Sequence, residues 1–165
     1  MIVIKNNTDT NFVEIRAIAQ EVWPIAYGSI LSSDQLDYMM DMMYSLSSLQ
    51  AQTDIKKNLF ILAIENDKAL GFAGYEFNYN DSAKTKIHKI YVLTTQQGKG
   101  IGKQLIDFIA EEAKLMQQKG LILNVNKNNK AIEFYKILGF SISAEEVIDI
   151  GNGYVMDDYV MGKDI

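Results

Sequence analysis

The chain has 165 residues, 48% of them hydrophobic and 22% charged, with a formal net charge of −5, one histidine and no cysteine. That length fits a single domain over residues 1–165, and the composition excludes the disordered and fibrous classes. The absence of cysteine rules out disulfides, thiolate metal sites and a cysteine nucleophile, and the negative charge argues against nucleic-acid binding, which needs clustered Lys and Arg.

The opening "MIVIKNNTDT" reads as a short first strand. It has no basic segment leading into an apolar core and no small-residue cleavage site, and no window approaches 18 continuous apolar residues, so the expected location is cytoplasmic. Thr8 or Thr10 then caps a helix carrying Phe12, Val13, Ile15, Ile18, Ala19 and Val22 at helical spacing, expected to end near Trp23 before the single proline, Pro24. "SSDQLDYMMDMMYS" opens a second helix with Ser32 and Ser33 as caps, and "SSLQAQTDI" a third short helical turn. The period then changes: "NLFILAIEN", "ALGFAGYEFNYN" and "KTKIHKIYVL" predict three strands in an antiparallel meander. A glycine loop follows, then a helix from about Gly100 to Gln118 closed by Gly120, a buried strand "LILNV", a helix "NKAIEFYKIL" ended by Gly139, and two strands, "FSISAEEVIDI" and "GYVMDDYVMG". The order predicts an α/β fold: a mixed sheet with helices on both faces.

The loop "QQGKGIGK" places Gly98, Gly100 and Gly102 at alternate positions before a long amphipathic helix. A helix N-terminus leaves unpaired N–H groups at the positive end of its dipole, so a loop that bends its amides toward one point there cradles an anion. The plain alternative is a strand-to-helix turn that needs glycine for its backbone. An ATP-type phosphate loop fails on spacing, because Gln97 stands where its first glycine belongs and Gln104 follows Lys103. The dinucleotide fingerprint fails because Lys103 occupies the place of its third glycine.

Gln97, Gly100 and Gly102 match the Q/R-x-x-G-x-G/A loop of the GNAT superfamily of N-acetyltransferases, and "NNKAIEFYKILGF" resembles that family's N-x-x-A-x-x-x-Y-x-x-x-G-F segment. With the strands "IHKIYVL" and "LILNV" in the right order, the resemblance covers most of the chain. It implies a mostly antiparallel seven-stranded sheet splayed between strands 4 and 5, with acetyl-coenzyme A as cosubstrate and no metal. Carried over, it places Ile90, Tyr91 and Val92 along the pantetheine arm, with the Val92 amide as candidate oxyanion donor. Gln97, Gly98, Lys99, Gly100, Ile101, Gly102 and Lys103 fall at the pyrophosphate. Asn128 is the matched residue for contacting the arm and capping the helix after it, with Asn129 beside it as the other candidate for the cap. Tyr135 matches the tyrosine that protonates the departing thiolate, the alternative being plain core packing.

The acceptor amine, with a pKa of about 10.4, must lose a proton before it attacks. Where relatives carry a carboxylate on strand 4 this chain has Lys86 and His88, so His88, read as sharing a strand face with Ile90, and Glu76 are the candidate bases, with ordered water as a third route. The segment "VWPIAYGSILSSDQLDYMMDMMYS", with its four methionines around Asp41, and the C-terminal "IGNGYVMDDYVMGKDI" resemble bacterial polyamine (spermidine-type) N-acetyltransferases. Asp37, Asp41, Glu76, Asp157 and Asp158 would suit a polycation. The alternatives are a protein N-terminal or lysine acetyltransferase and a non-catalytic acyl-coenzyme A sensor. A homodimer through the apolar final strand is a further expectation.

Overall fold

The computed structural model describes residues 1–6 and 12–165, so Thr8 and Thr10, the expected caps, lie outside the described residues. The elements are β1 (Val3–Asn6), α1 (Phe12–Tyr27), α2 (Ser33–Tyr44), α3 (Leu46–Asp54), β2 (Leu59–Glu65), β3 (Lys68–Glu76), β4 (Lys84–Val92), α4 (Ile101–Leu115), β5 (Gly120–Asn126), α5 (Ala131–Ile137), β6 (Ser141–Gly151) and β7 (Tyr154–Asp164). They build one seven-stranded sheet in the order β1-β2-β3-β4-β5-β7-β6. Every pairing is antiparallel except the parallel pair of β4 and β5.

Hydrophobic periodicity explains the layering. One face of the sheet packs Ala73, Tyr75, Ile87, Leu121, Leu123 and Met161 against Ile101, Leu105, Ile106 and Ile109 of α4. The other packs Phe60, Leu62 and Phe72 against Ile15, Ile18, Trp23 and Tyr27 of α1, Met39 and Tyr44 of α2 and Leu49 of α3. Ser32 and Ser45 accept hydrogen bonds from the Gln35 and Ser48 amides and so start α2 and α3.

Two helix ends and one strand's pairing depart from expectation. Helix α1 runs through Pro24 to Tyr27. A proline inside a helix costs about 3 kcal/mol, but the turn it would break carries Trp23 and Tyr27 into the core, and burying large apolar side chains offsets this at roughly 1.5–3 kcal/mol each. Helix α4 stops at Leu115, and Gln117 takes a left-handed conformation. That turn aims the buried Gln118 at Asn78, with which it exchanges two hydrogen bonds of 2.8 and 2.9 Å, so Gly120 opens β5 and does not close the helix. Strand β7, expected to pair with a second copy, is hydrogen-bonded on both sides by β5 and β6. The sheet edges are β1 and β6.

The feature that positions a site is the parting of β4 from β5. They pair only over Lys84–Ile87 and Gly120–Leu123, although β4 continues to Val92 and β5 to Asn126. At the same level the β3–β4 register shifts: Gly74 faces Lys89 and Tyr75 faces Ile87, so His88 is an extra residue. A bulge of this kind bends its strand and increases the local twist. Among the described residues no helix is long and apolar enough to cross a membrane.

Candidate active site

A cleft of about 690 Å³ opens where the strands diverge. Its walls include β4 from Ile87 to Val92, the loop and first turn of α4, Leu123–Val125 of β5, the start of α5, and α1 near Tyr27. Of the residues singled out in the sequence, His88, Ile90, Tyr91, Val92, Gln97, Gly98, Gly100, Ile101, Gly102, Asn128 and Tyr135 line it. Lys99, Lys103 and Glu76 do not: Lys99 donates to Gln96 Oε1, Lys103 pairs with Asp107 and Glu76 reaches the cleft only through His88.

Strand β4 presents main-chain groups to this space. In an antiparallel ladder alternate residues bond to the partner strand and those between them point away. Leu93 donates to the Leu70 carbonyl at 2.9 Å, so with Leu70 opposite Leu93 and Gly71 opposite Val92, the N–H and C=O of Val92 and Ile90 point away from β3. They face the side that β5 has left. Tyr91 is different: its hydroxyl meets that of Tyr27 at 3.0 Å and its ring packs on Trp23 and Phe72. Its side chain belongs to the α1 side of the sheet.

The glycine loop divides its labour. Gly98 and Gly100 have φ of +81° and +77°, and a Cβ at either would meet nothing within 4 Å, so left-handed backbone is what selects glycine there. Gly102 has ordinary helical backbone, but a Cβ would lie 3.0 Å from the Phe134 ring. It seats α4 against α5. The first intrahelical bond after Gly100 runs from the Gln104 amide to the Gly100 carbonyl, which leaves the first-turn N–H groups directed to the cleft end. Gln97 turns its side chain back to donate to the Val92 carbonyl at 3.3 Å.

At the far side, Asn129 rather than Asn128 holds the helix start: Asn129 Oδ1 accepts from the Ala131 amide at 2.9 Å and its Nδ2 donates to Tyr27 Oη at 3.3 Å. Asn128 is tied by its amide to Asn126 Oδ1, and its side chain borders the cleft. Tyr135 is buried, 8% exposed, with its ring against Phe134 and Phe140. Burial, reinforced by Tyr27, pushes its phenol above the ordinary value, so it stays protonated throughout the physiological range.

The bulge changes where His88 points. Its Nε2 lies 2.7 Å from Glu76 Oε2 and its ring meets Tyr79 edge-on, on the sheet face of Lys86, whereas Ile90 packs with the α4 core. The expectation that His88 shares a face with Ile90 fails because the extra residue resets the period of two. Burial lowers the His88 pKa to about 4 against the opposing pull of the Glu76 hydrogen bond, and the ring is neutral at physiological pH. Lys89, next in the chain, turns under α3: its Nζ donates to Gln52 Oε1 at 2.5 Å and burial lowers its pKa to about 8.

Sequence reasoning missed Asn124, Tyr27, Thr94, Gln96 and Phe134 as lining residues. Asn124 carried a usable signal, since it is the one polar residue inside the run "LILNV". Of the expected acids, Asp37 and Asp41 stand exposed on α2, Asp157 pairs outward with Lys127 at 3.1 Å, and Asp158 is buried. Met39 is fully buried, and Met40 and Met43 pack against the α1–α3 core. Among the described residues no group of three His, Asp or Glu could hold a metal ion.

The site is thus a cleft between the one parallel, diverging strand pair of a mostly antiparallel sheet, with a glycine loop at its mouth and a buried tyrosine across from it. The family model described as Acetyltransferase (GNAT) family matches residues 13–140, and the chain belongs to that family. It is 37% identical over 86 residues to an uncharacterised N-acetyltransferase of Methanocaldococcus jannaschii, a match covering 49% of this chain and 38% of the relative. It is 31% identical over 98 residues to the peptidyl-lysine N-acetyltransferase YjaB of Salmonella typhimurium, covering 58% and 59% respectively. The matches thus span less than two thirds of these relatives' length. The PaiA N-acetyltransferase of Thermoplasma acidophilum, solved with coenzyme A, has the same fold, with a TM-score of 0.84, 20% identity and coverage of 100% of this chain and 99% of that one.

Proposed function

We propose that the protein transfers an acetyl group from acetyl-coenzyme A to a primary amine by direct attack. The observation that carries this is the convergence, in one cleft, of the main-chain edge at Ile90 and Val92 that β5 has left, the first turn of α4 and the Tyr135 phenol. Acetyl-coenzyme A, when bound, supplies an activated thioester. The α4 amides from Gly100 to Lys103 hold its pyrophosphate, and the edge of β4 hydrogen-bonds its arm. The Val92 amide stabilises the charge that develops on the thioester oxygen, as a fixed donor in a water-poor site. Tyr135 gives its proton to the departing thiolate. His88, held through Nε2 by Glu76, takes up the proton that the amine releases as it bonds to the thioester carbon, when that nitrogen has become far more acidic than a free ammonium.

The acceptor in this reading is a small cationic amine. Glu76, Glu146 and Asp158 give the β3–β4–β5–β7–β6 surface beyond the bulge an acidic character, and the chain carries −5 overall, which steers polycations inward. Similarity to a peptidyl-lysine acetyltransferase supports a second reading, in which the amine is a lysine side chain. Thiol release with spermidine, spermine, lysine peptides and free amino acids, beside calorimetric titration of acetyl-coenzyme A, decides. Turnover of the polyamines is expected, turnover of peptides alone selects the second reading, and tight cofactor binding without any turnover would make the protein a sensor.

A further inference from the structure

Beyond the last β4–β5 pair, Ile87 with Leu123, no ladder holds the two strands together. The distance from the Ile90–Val92 edge to Tyr135, which α5 carries after β5, must therefore be set by side chains. On the α4 face of the sheet Phe134 packs into the space that Gly102 leaves free. On the other face the link is polar. Tyr27 Oη lies 3.0 Å from the Tyr91 hydroxyl on β4, and it accepts at 3.3 Å from Nδ2 of Asn129, at the start of α5. All three residues line the cleft, so a single hydroxyl bridges β4 and α5 where the strands have parted.

Each part of this strut is held in place. Asn129 keeps one orientation, because its Oδ1 accepts from the Ala131 amide at 2.9 Å and leaves the donating Nδ2 for Tyr27. The Tyr91 ring packs on Trp23 and Phe72, and the Tyr27 ring lies against Trp23 with centroids 4.8 Å apart. The Tyr27 carbonyl accepts from the Ile30 and Leu31 amides, which pins the end of α1. Tyr27 reaches this place because α1 runs on past Pro24. A buried polar group is costly unless paired, and a network whose members satisfy one another specifies a unique arrangement where apolar contact would tolerate sliding. Tyr27 also adds to the upward shift of the Tyr135 pKa, so the two phenols lie within each other's field.

We propose that Tyr27 is a positioning residue: its hydroxyl, clamped between Tyr91 and Asn129, fixes the span of the strand gap and so holds the Tyr135 phenol at the sulfur of a thioester bound along β4. This rests on the reading that Tyr135 protonates the departing thiolate. The test is a double-mutant cycle on kcat, measured as thiol release at saturating acetyl-coenzyme A with spermidine, or with a lysine peptide should only peptides turn over. Tyr27→Phe is expected to lower kcat about tenfold and to leave the KM for acetyl-coenzyme A within about threefold. In a Tyr135→Phe background the same substitution should change kcat by less than about twofold, because it acts only through that phenol, whereas independent effects multiply. Tyr91→Phe cuts the other end of the strut and should repeat the pattern with a loss of about threefold, which keeps the proposal testable should Tyr27→Phe misfold. An unchanged kcat in the folded variant, or a loss that multiplies with that of Tyr135→Phe, would overturn the positioning role while leaving Tyr135 as the acid. An unchanged kcat in Tyr135→Phe itself would overturn both, as would the absence of thiol release with either acceptor.

Discussion

The two walls of the cleft are made of different material. The wall assigned to the cofactor uses main chain: the outward groups of Ile90 and Val92, the left-handed turns at Gly98 and Gly100, and the first amides of α4. The wall assigned to the acceptor uses side chains: His88 and Asn124 line it, and hydrogen bonds join them to Glu76, Lys86, Glu146 and Asp158 behind, drawn from β3, β4, β6 and β7. Main-chain groups keep their chemistry when side chains vary, and they titrate nowhere near neutrality. Such a wall suits a ligand common to a whole family. A wall of buried ionisable side chains is selective and pH-sensitive, which suits a ligand that differs from one member to the next.

Tyr135 stands between the walls, and its substitution is expected to have the largest effect. Tyr135→Phe removes one hydroxyl from a site already packed by Phe134 and Phe140, so the fold is retained. Loss of a positioned acid lowers kcat on the order of 100-fold. Thiol release measures this, and calorimetry should find acetyl-coenzyme A affinity within about threefold of wild type. An unchanged kcat would assign Tyr135 to packing alone.

The acceptor wall should respond to pH where the cofactor wall does not. His88 has a folded pKa of about 4, below the ordinary 6.5, so between those values the unfolded chain binds more protons than the native one. Stability therefore rises with pH across that window and is lost as pH falls from 6.5 toward 4, by on the order of 2 kcal/mol. Thermal melts at pH 4.5 and 7.5 should show this loss in the wild type and a smaller one in His88→Gln. Parallel pH dependence in the two proteins would mean that His88 is not held neutral by burial.

The same contrast explains what could be read from the sequence. Main-chain sites demand glycine at fixed spacing, so the Gln97–Gly102 loop and the order of strands around it were legible, as were the meander and Tyr135. The helix that runs through Pro24 was not, because tertiary burial of Trp23 and Tyr27 overrides a local rule. Nor was the face of His88, since one inserted residue reverses a period-two reading and a bulge leaves no local mark in "KIHKI". The Lys86–Asn124–Asp158 cluster joins residues 34 positions apart or more, and only the strand register brings them together.

Smaller effects test the cofactor wall. Gly100→Val forces a β-branched residue into φ +77°, with open space around its side chain, so the cost is conformational, roughly 1–2 kcal/mol of stability by thermal unfolding. Acetyl-coenzyme A affinity should fall with it, because the α4 amides start from this turn. Wild-type affinity in Gly100→Val would place the anion elsewhere.

The smallest effect expected is that of Lys103→Ala. Lys103 belongs to the loop by sequence, but its side chain runs along the exposed face of α4 to Asp107, four residues on, and does not line the cleft. An exposed pair of this spacing contributes about 0.2–0.5 kcal/mol to a helix, less in salt. If the wall holding the pyrophosphate is built of amides, the KM for acetyl-coenzyme A should change by less than about threefold, since the Lys103 amide survives the substitution. A tenfold rise would show that the ammonium swings from Asp107 to the phosphates, and the division between a main-chain wall and a side-chain wall would then have to be redrawn at its outer rim.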